Sequence, residues 1–128
     1  MAEAIARRDA ADVISPSSAG ISPLGFVVED TKTTLERNGY STEGLHSKAA
    51  DAELWNAAHL VINMTGRPKN YAFYSLPDHA KVEDWQVSDP YGADSAFYQK
   101  IFEELQRRVG ALADRLRLAV RDQPAKAT

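Results

Sequence analysis

The sequence predicts a three-layer α/β domain in which a short parallel sheet is flanked by helices. Short apolar or alternating segments recur between segments of helical character, and a long amphipathic helix closes the chain. Strands that alternate with helices pair in parallel through right-handed crossovers, which places helices on the faces of the sheet. The 128 residues suit one domain. We place it at residues 1–121 and expect residues 122–128 to form a flexible tail.

Four segments ahead of the closing helix have helical signals. Residues 2–11 are rich in good helix formers, and residues 29–38 end at an Asn-Gly pair that commonly terminates helices. Residues 50–58 form a third, short helix. A fourth is predicted at residues 66–74, where Thr65 is well placed to cap the first turn.

The closing helix has the clearest periodicity. Asp94 or Ser95 can cap its start. Its arginines, among them Arg108 and Arg115, lie mostly off the apolar stripe, and we expect them on a solvated face. The apolar residues recur three or four positions apart and form one stripe: Phe97, Ile101, Leu105, Val109, Leu112 and Leu116.

Three segments are predicted to be strands. Residues 13–19 contain Pro16, which cannot donate to a strand ladder, so this strand should lie at an edge or end early. Residues 60–64 are short, branched and apolar, which is typical of a buried strand. Residues 82–87 alternate between apolar and polar with period two, as a half-buried strand does.

The composition excludes three classes of protein. Lys and Arg number 15 against 18 Asp and Glu, so the basic excess typical of a nucleic-acid binder is missing. The apolar stretch at residues 60–62 is far shorter than the ~20 residues of a membrane span. The first ten residues lack the apolar region of a signal peptide. We therefore expect a cytoplasmic protein with no nucleic-acid or membrane partner.

The absence of cysteine limits the chemistry of the chain. Without cysteine there is no disulfide, no Cys-ligated metal and no thiol-based catalysis within these residues. His46, His59 and His79 are separated by 13 and 20 positions, which matches no helical metal-binding pair. We expect ordinary loop or strand-edge histidines, no metal and no cofactor.

Four motifs stand in a characteristic order and precede the amphipathic helix. They are MAEAIARR from Met1, SSAGIS from Ser17, AHLVINMT from Ala58 and WQVSDPYG from Trp85. Together they resemble the low-molecular-weight protein tyrosine phosphatase family, which shares its fold with thioredoxin-coupled arsenate reductases. The resemblance extends from Met1 to about Leu116.

The resemblance implies that the phosphate-binding half of the family's site is missing from these residues. Family members begin with a strand and a loop of Cys, five residues, Arg and Ser or Thr. A Pro-Met-Ala-Glu-Ala helix follows, and Met1 to Ala4 match its start. The first strand, the nucleophilic Cys and the phosphate-cradling amides would then be absent. In the family that strand lies between the equivalents of residues 13–19 and 60–64. We expect these strands to close up or a homodimer to complete the sheet.

The resemblance also assigns three site residues. Asp89 matches the general acid that protonates the departing phenolic oxygen. Tyr91 matches a residue that flanks the substrate ring, and Phe26 is the candidate for the opposite wall. Read from the residues alone, Asp-Pro is also a common turn, and Asp89 could simply end a strand.

Two functions stay open at this point. In the first, the chain is a phosphatase of this family, with phosphotyrosine proteins or small aryl phosphates as its substrate class, and is inactive without its nucleophile. In the second, it is a non-catalytic relative that binds a protein partner or a phosphorylated ligand. Arsenate reduction is disfavoured because that branch uses further cysteines, and residues 65–88 contain none.

Overall fold

The computed structural model describes residues 1–20, 27–45, 47–49, 51–68 and 81–121. Within these ranges the chain forms four helices and two strands. In chain order they are α1 (Ala2–Asp9), α2 (Glu29–Arg37), α3 (Ala52–Ala57), β1 (Val61–Asn63), β2 (Val82–Asp84) and α4 (Ser95–Arg121). The predicted α/β class is therefore correct. Of the predicted helix at 66–74, residues 66–68 are not helical, and residues 69–74 lie outside the described ranges.

β1 and β2 form a two-stranded parallel sheet in the described part of the chain. The N–H of Val61 donates to the carbonyl of Lys81, and the N–H of Trp85 donates to the carbonyl of Asn63, both at 2.9 Å. Because hydrogen-bonding direction alternates along a strand, the N–H and C=O of Ile62 point to the opposite edge. The strands predicted at 60–64 and 82–87 are confirmed, the first at its centre and the second at its start, and each is shorter than predicted.

α2 ends and α3 begins where local signals place them. α2 stops at Asn38, and Gly39 follows with a φ of +82°, a left-handed conformation that glycine adopts at little cost. The N–H of Tyr40 then donates to the carbonyl of Leu35 at 2.9 Å. At the start of α3 the Asp51 carboxylate accepts from a backbone N–H in the first turn at 2.8 Å, which satisfies one unpaired amide.

The long helix α4 carries most of the core. The Asp94 carboxylate caps its start by accepting from the N–H of Phe97 at 2.9 Å. Its apolar stripe packs against α1 and α2, where Ile5 and Leu35 are fully buried. The stripe follows the predicted spacing, except that Phe97 and Leu116 are half-buried and Tyr98, the neighbour of Phe97, is buried. The buried residues of α4 are Tyr98, Ile101, Phe102, Leu105, Val109, Leu112 and Ala113.

Tyr40 joins α1, α2 and α4 at one point. Its ring meets Phe102 edge-on, with ring centroids 5.4 Å apart, and the Arg8 guanidinium lies 4.6 Å above its centroid. Its hydroxyl donates to the Asp9 carboxylate and accepts from the Gln106 side-chain amide at 3.0 Å. A buried tyrosine hydroxyl needs such partners, because an unpaired one costs about 1–3 kcal/mol.

The predicted strand at residues 13–19 is wrong. The N–H groups of Val13 and Ile14 both donate to the carbonyl of Ala10, at 3.0 and 2.8 Å, and so close a turn after α1. The one bridge described nearby is parallel and joins Gly20 to Ala49. A strand needs a neighbour on its edge, and the described residues bring no strand beside this segment.

Replacing Ile5 should destabilise the fold strongly. Its side chain is completely buried, so Ile5→Ala should lower the free energy of unfolding by about 2–5 kcal/mol. Urea denaturation followed by circular dichroism measures this loss. Leu118→Ala is the matched control: Leu118 is 52% exposed, and its truncation should change stability by no more than about 0.5 kcal/mol. Equal effects of the two changes would contradict this packing.

Candidate functional site

The predicted acid Asp89 follows β2 at the carboxyl end of the sheet. Parallel strands end at the same edge, so the segments after β1 and β2, residues 64–68 and 85–94, leave the sheet on the same side. In open α/β sheets this edge is where ligands generally bind. The candidate site is therefore built from these two segments.

A tight turn holds Asp89 and Tyr91 together. The N–H of Tyr91 donates to Oδ1 of Asp89 at 3.0 Å, which is the Asx turn that Asp-Pro sequences favour. The N–H of Ala93 donates to the carbonyl of Pro90 at 2.8 Å, and Gly92 takes a φ of +80°. Among the described hydrogen bonds, Oδ2 of Asp89 takes part in none. One carboxylate oxygen is thus fixed as an acceptor, and the other faces solvent.

Of the two aromatic residues predicted around Asp89, the structure describes Tyr91. Tyr91 is 61% exposed, so its ring is accessible to a ligand beside the carboxylate. Phe26, the candidate for the opposite wall, lies outside the described residues. The structure therefore brings two of the three predicted site residues together in one turn.

Tyr98 lies close to Asp89, and sequence reasoning did not single it out. Its side chain is 1% exposed. Burial raises the pKa of the Tyr98 phenol, and the nearby negative charges of Asp30 and Asp89 raise it further. The phenol therefore stays neutral at the start of α4. Its position on the apolar stripe was the available signal.

Two arginines of α4 hold the segment that leads to Asp89. Arg115 donates to both carboxylate oxygens of Glu83, at 2.8 and 2.9 Å. Arg108 donates to the carbonyl of Gln86 at 3.2 Å. Arg108 and Arg115 keep 35% and 59% of their side-chain surface exposed, as expected of a solvated face, and they also tie α4 to β2 and to the residues that follow it.

The buried Trp85 completes this connection. It is 6% exposed, and its indole N–H donates to Oε1 of Glu83 at 3.0 Å. The hydrogen bonds from Trp85 and then from Arg115 hold the pKa of the Glu83 carboxyl below its usual range. Glu83 therefore stays ionised at neutral pH between an indole and a guanidinium.

Asn63 fixes the other segment of the site. It is 3% exposed, and its amide donates to Asp84 Oδ1 at 2.9 Å and to the carbonyl of Arg67 at 2.8 Å. Its Oδ1 accepts from the N–H and the hydroxyl of Thr65, at 3.1 and 2.7 Å. Thr65 thus closes a turn instead of capping the helix predicted after it. A lone polar residue inside an apolar strand was the sequence signal for this clamp.

The described residues hold no group of three His, Asp or Glu side chains that could bind a metal ion. His59 is exposed, and His46 and His79 lie outside the described ranges. No helix within those ranges is long and apolar enough to cross a membrane.

Comparison of the chain with known protein families defines its class. The family model for low molecular weight phosphotyrosine protein phosphatase matches residues 1–122, so the chain belongs to this family. The resemblance seen in the sequence motifs is therefore confirmed. No curated protein matches the chain.

Solved structures of related proteins share the fold. A low molecular weight protein tyrosine phosphatase from T. tengcongensis is similar at a TM-score of 0.81 and 23% identity, over 90% of this chain and 88% of that one. The YwlE arginine phosphatase from Geobacillus stearothermophilus is similar at a TM-score of 0.83 and 18% identity, over 98% of this chain and 89% of that one. An arsenate reductase in its reduced state is similar at a TM-score of 0.66 and 22% identity, over 89% of this chain and 86% of that one. These likenesses establish the fold alone.

The Glu83 contacts should make stability depend on pH. A carboxyl whose pKa is lowered by folding contributes stability above its unfolded pKa of about 4.3, and that contribution is lost as pH falls through the folded value. Glu83→Gln should therefore destabilise the chain at pH 7 and do so less at about pH 3. Urea unfolding at the two pH values measures this. Glu53→Gln, at an exposed site on α3, is the control. A Glu83→Gln deficit of equal size at both pH values would contradict the assignment.

Proposed function

We propose that this chain carries the leaving-group half of a low-molecular-weight phosphatase site. Family membership supports this, and the single observation that carries it is the turn that joins Asp89 to the exposed Tyr91. In this role Asp89 gives its proton, from Oδ2, to the oxygen that departs from phosphorus. Tyr91 lies along the aromatic ring of the substrate, and Phe26 is the proposed opposite wall.

The nucleophilic half of the reaction has no counterpart in the 128 residues. The family's reaction begins when a thiolate attacks phosphorus and the P–O bond to the leaving group breaks. The chain contains no cysteine, so no thiolate can form this intermediate. We therefore propose that the chain, as it stands, does not hydrolyse phosphomonoesters. The same absence argues against arsenate reduction through a cysteine relay.

The second candidate is a non-catalytic binding protein. What favours it is the exposed Tyr91 ring beside a carboxylate on a preformed turn, which can stack on an aromatic ligand without any covalent step. The ligand class is then a phosphotyrosine protein or a small aryl phosphate in the cytoplasm. In this candidate Tyr91 still stacks on the aromatic ring of the ligand, and no phosphoryl group is transferred.

The chain should not release phosphate from p-nitrophenyl phosphate above the buffer rate between pH 5 and pH 7. The reason is the missing thiolate, so the wild type and Asp89→Asn should give the same background rate. The absorbance of nitrophenolate in samples quenched with alkali at fixed times measures it. Turnover that disappears in Asp89→Asn would overturn the proposal of inactivity.

A titration distinguishes the two candidates. Phosphotyrosine added to ¹⁵N-labelled chain should leave the amide signals of residues 88–92 in place if the chain is an incomplete enzyme. Saturable shifts confined to these residues, and lost in Tyr91→Ala, would favour the binding protein. Leu118→Ala, which changes an exposed apolar residue remote in sequence from this turn, is the control for Tyr91→Ala.

A further inference from the structure

We propose that Asn38 is a site of spontaneous deamidation, and that its hydrogen bonds to Gln99 control the reaction. Asn38 and Gly39 form the one Asn-Gly dipeptide in the 128 residues. Because glycine has no side chain, its backbone nitrogen can approach the side chain of the residue before it with little steric hindrance. Asparagine is also one of the thermolabile residues of proteins. The dipeptide that ends α2 is therefore the position in this sequence where an asparagine side chain is most reactive.

The reaction needs only groups of the chain and water. The backbone nitrogen of Gly39 attacks Cγ of Asn38, so that an N–Cγ bond forms and the Cγ–Nδ2 bond breaks. The proton of the Gly39 N–H leaves with Nδ2 as ammonia. Water then opens the five-membered succinimide ring at either carbonyl. The product is a carboxylic acid, ionised at neutral pH, on the normal backbone or on a backbone lengthened by Cβ. Nothing is oxidised or reduced.

The folded structure holds the reacting groups apart. Nδ2 of Asn38 donates to the carbonyl of Thr34 at 2.7 Å and to Oε1 of Gln99 at 2.8 Å. Nε2 of Gln99 donates back to Oδ1 of Asn38 at 3.1 Å. We call these two side chains the amide pair. The N–H of Gly39 donates to the carbonyl of Glu36 at 3.0 Å, and the Asn38 backbone, at a ψ of 10°, must rotate before the ring can close. Cyclisation therefore requires the amide pair to open.

Water can reach the amide pair. Asn38 and Gln99 are half-buried, and Gly39 is exposed. A cavity of about 410 Å³, open to solvent, lies between the end of α2 and the start of α4 and is large enough for several water molecules. Its lining residues are Arg37, Asn38, Ser95, Ala96 and Gln99. Access of water thus does not limit the hydrolysis of the ring, and the hydrogen bonds of Asn38 set the rate.

Deamidation would weaken the contact between α2 and α4. A carboxylate has no N–H, so the carbonyl of Thr34 would lose its side-chain donor. The new negative charge would lie at the carboxyl end of α2, where the helix dipole disfavours it. The lengthened backbone would also shift Tyr40, two residues further on, whose ring packs edge-on against Phe102 of α4. Because the loss of ammonia is not reversed, the change would persist once it has occurred.

Peptide mapping by mass spectrometry tests the inference. The chain is incubated at pH 8 and 37 °C, digested at acidic pH, and the replacement of NH₂ by OH at residue 38 is followed over time. The wild type should react at least about tenfold more slowly when folded than in denaturing urea, because folding adds the hydrogen bonds of the amide pair. Asn56, which is exposed and precedes Ala57, is the internal control and should react much more slowly than residue 38 in urea.

A substitution in α4 tests the role of the amide pair itself. Gln99→Ala removes both of its hydrogen bonds and should speed the reaction of the folded chain by about tenfold. Lys100→Ala, at the exposed neighbouring position of α4, is the matched control and should react at the wild-type rate. Circular dichroism checks that each variant is folded. If Gln99→Ala is not, Gln99→Glu replaces it: this variant keeps the acceptor, loses the donor to Oδ1, and should also react faster than the wild type.

Three results would overturn the inference. The first is a folded Gln99 variant that reacts no faster than Lys100→Ala, which would show that the amide pair does not control the reaction. The second is a folded wild type that reacts as fast as the chain in urea. The third is a chain that keeps its Asn38 amide even in urea, because Asn38 would then not be a deamidation site.

Discussion

The packing of the apolar stripe of α4 against α1 and α2 is the contact on which the described structure depends. α4 supplies seven buried residues, and they meet fully buried side chains from the other two helices. The sheet is too small to hold these elements together, because three-residue strands bury little surface. The helices therefore form a platform, and the sheet and the candidate site are attached to it.

The attachment is polar and specific. Arg115 reaches from α4 to Glu83 in β2, and Arg108 reaches to Gln86 after β2. The indole of Trp85 donates to the same Glu83 carboxylate. Asn63 ties the end of β1 to the end of β2 with all of its amide hydrogen-bonding directions used. The Asp89 turn thus follows a segment that is held in place by these contacts. The turn itself is closed by two local hydrogen bonds, from the N–H of Tyr91 to Asp89 and from the N–H of Ala93 to Pro90.

Sequence reasoning succeeded where local signals decide the structure. The Asn-Gly stop of α2, the Asp94 cap and the stripe of α4 are all local, and each was predicted close to its observed position. The segment at residues 13–19 was not, because strand formation depends on a neighbouring strand, which the local sequence does not reveal. The Asn63 clamp and the arginine contacts were missed for the same reason: their partners are distant in sequence. Asp89 and Tyr91 were identified only through the resemblance, since Asp-Pro by itself indicates a turn.

The central claim is that these residues retain the proton donor of a phosphatase site without the group that attacks phosphorus. Intact-mass spectrometry after rapid acid quench, with the chain and excess p-nitrophenyl phosphate mixed for seconds to minutes, tests it most directly. The account predicts an unchanged mass of 14.1 kDa at every time, in the wild type and in Asp89→Asn. A species heavier by one phosphoryl group, and longer-lived in Asp89→Asn, would contradict it and would locate a nucleophile in this chain.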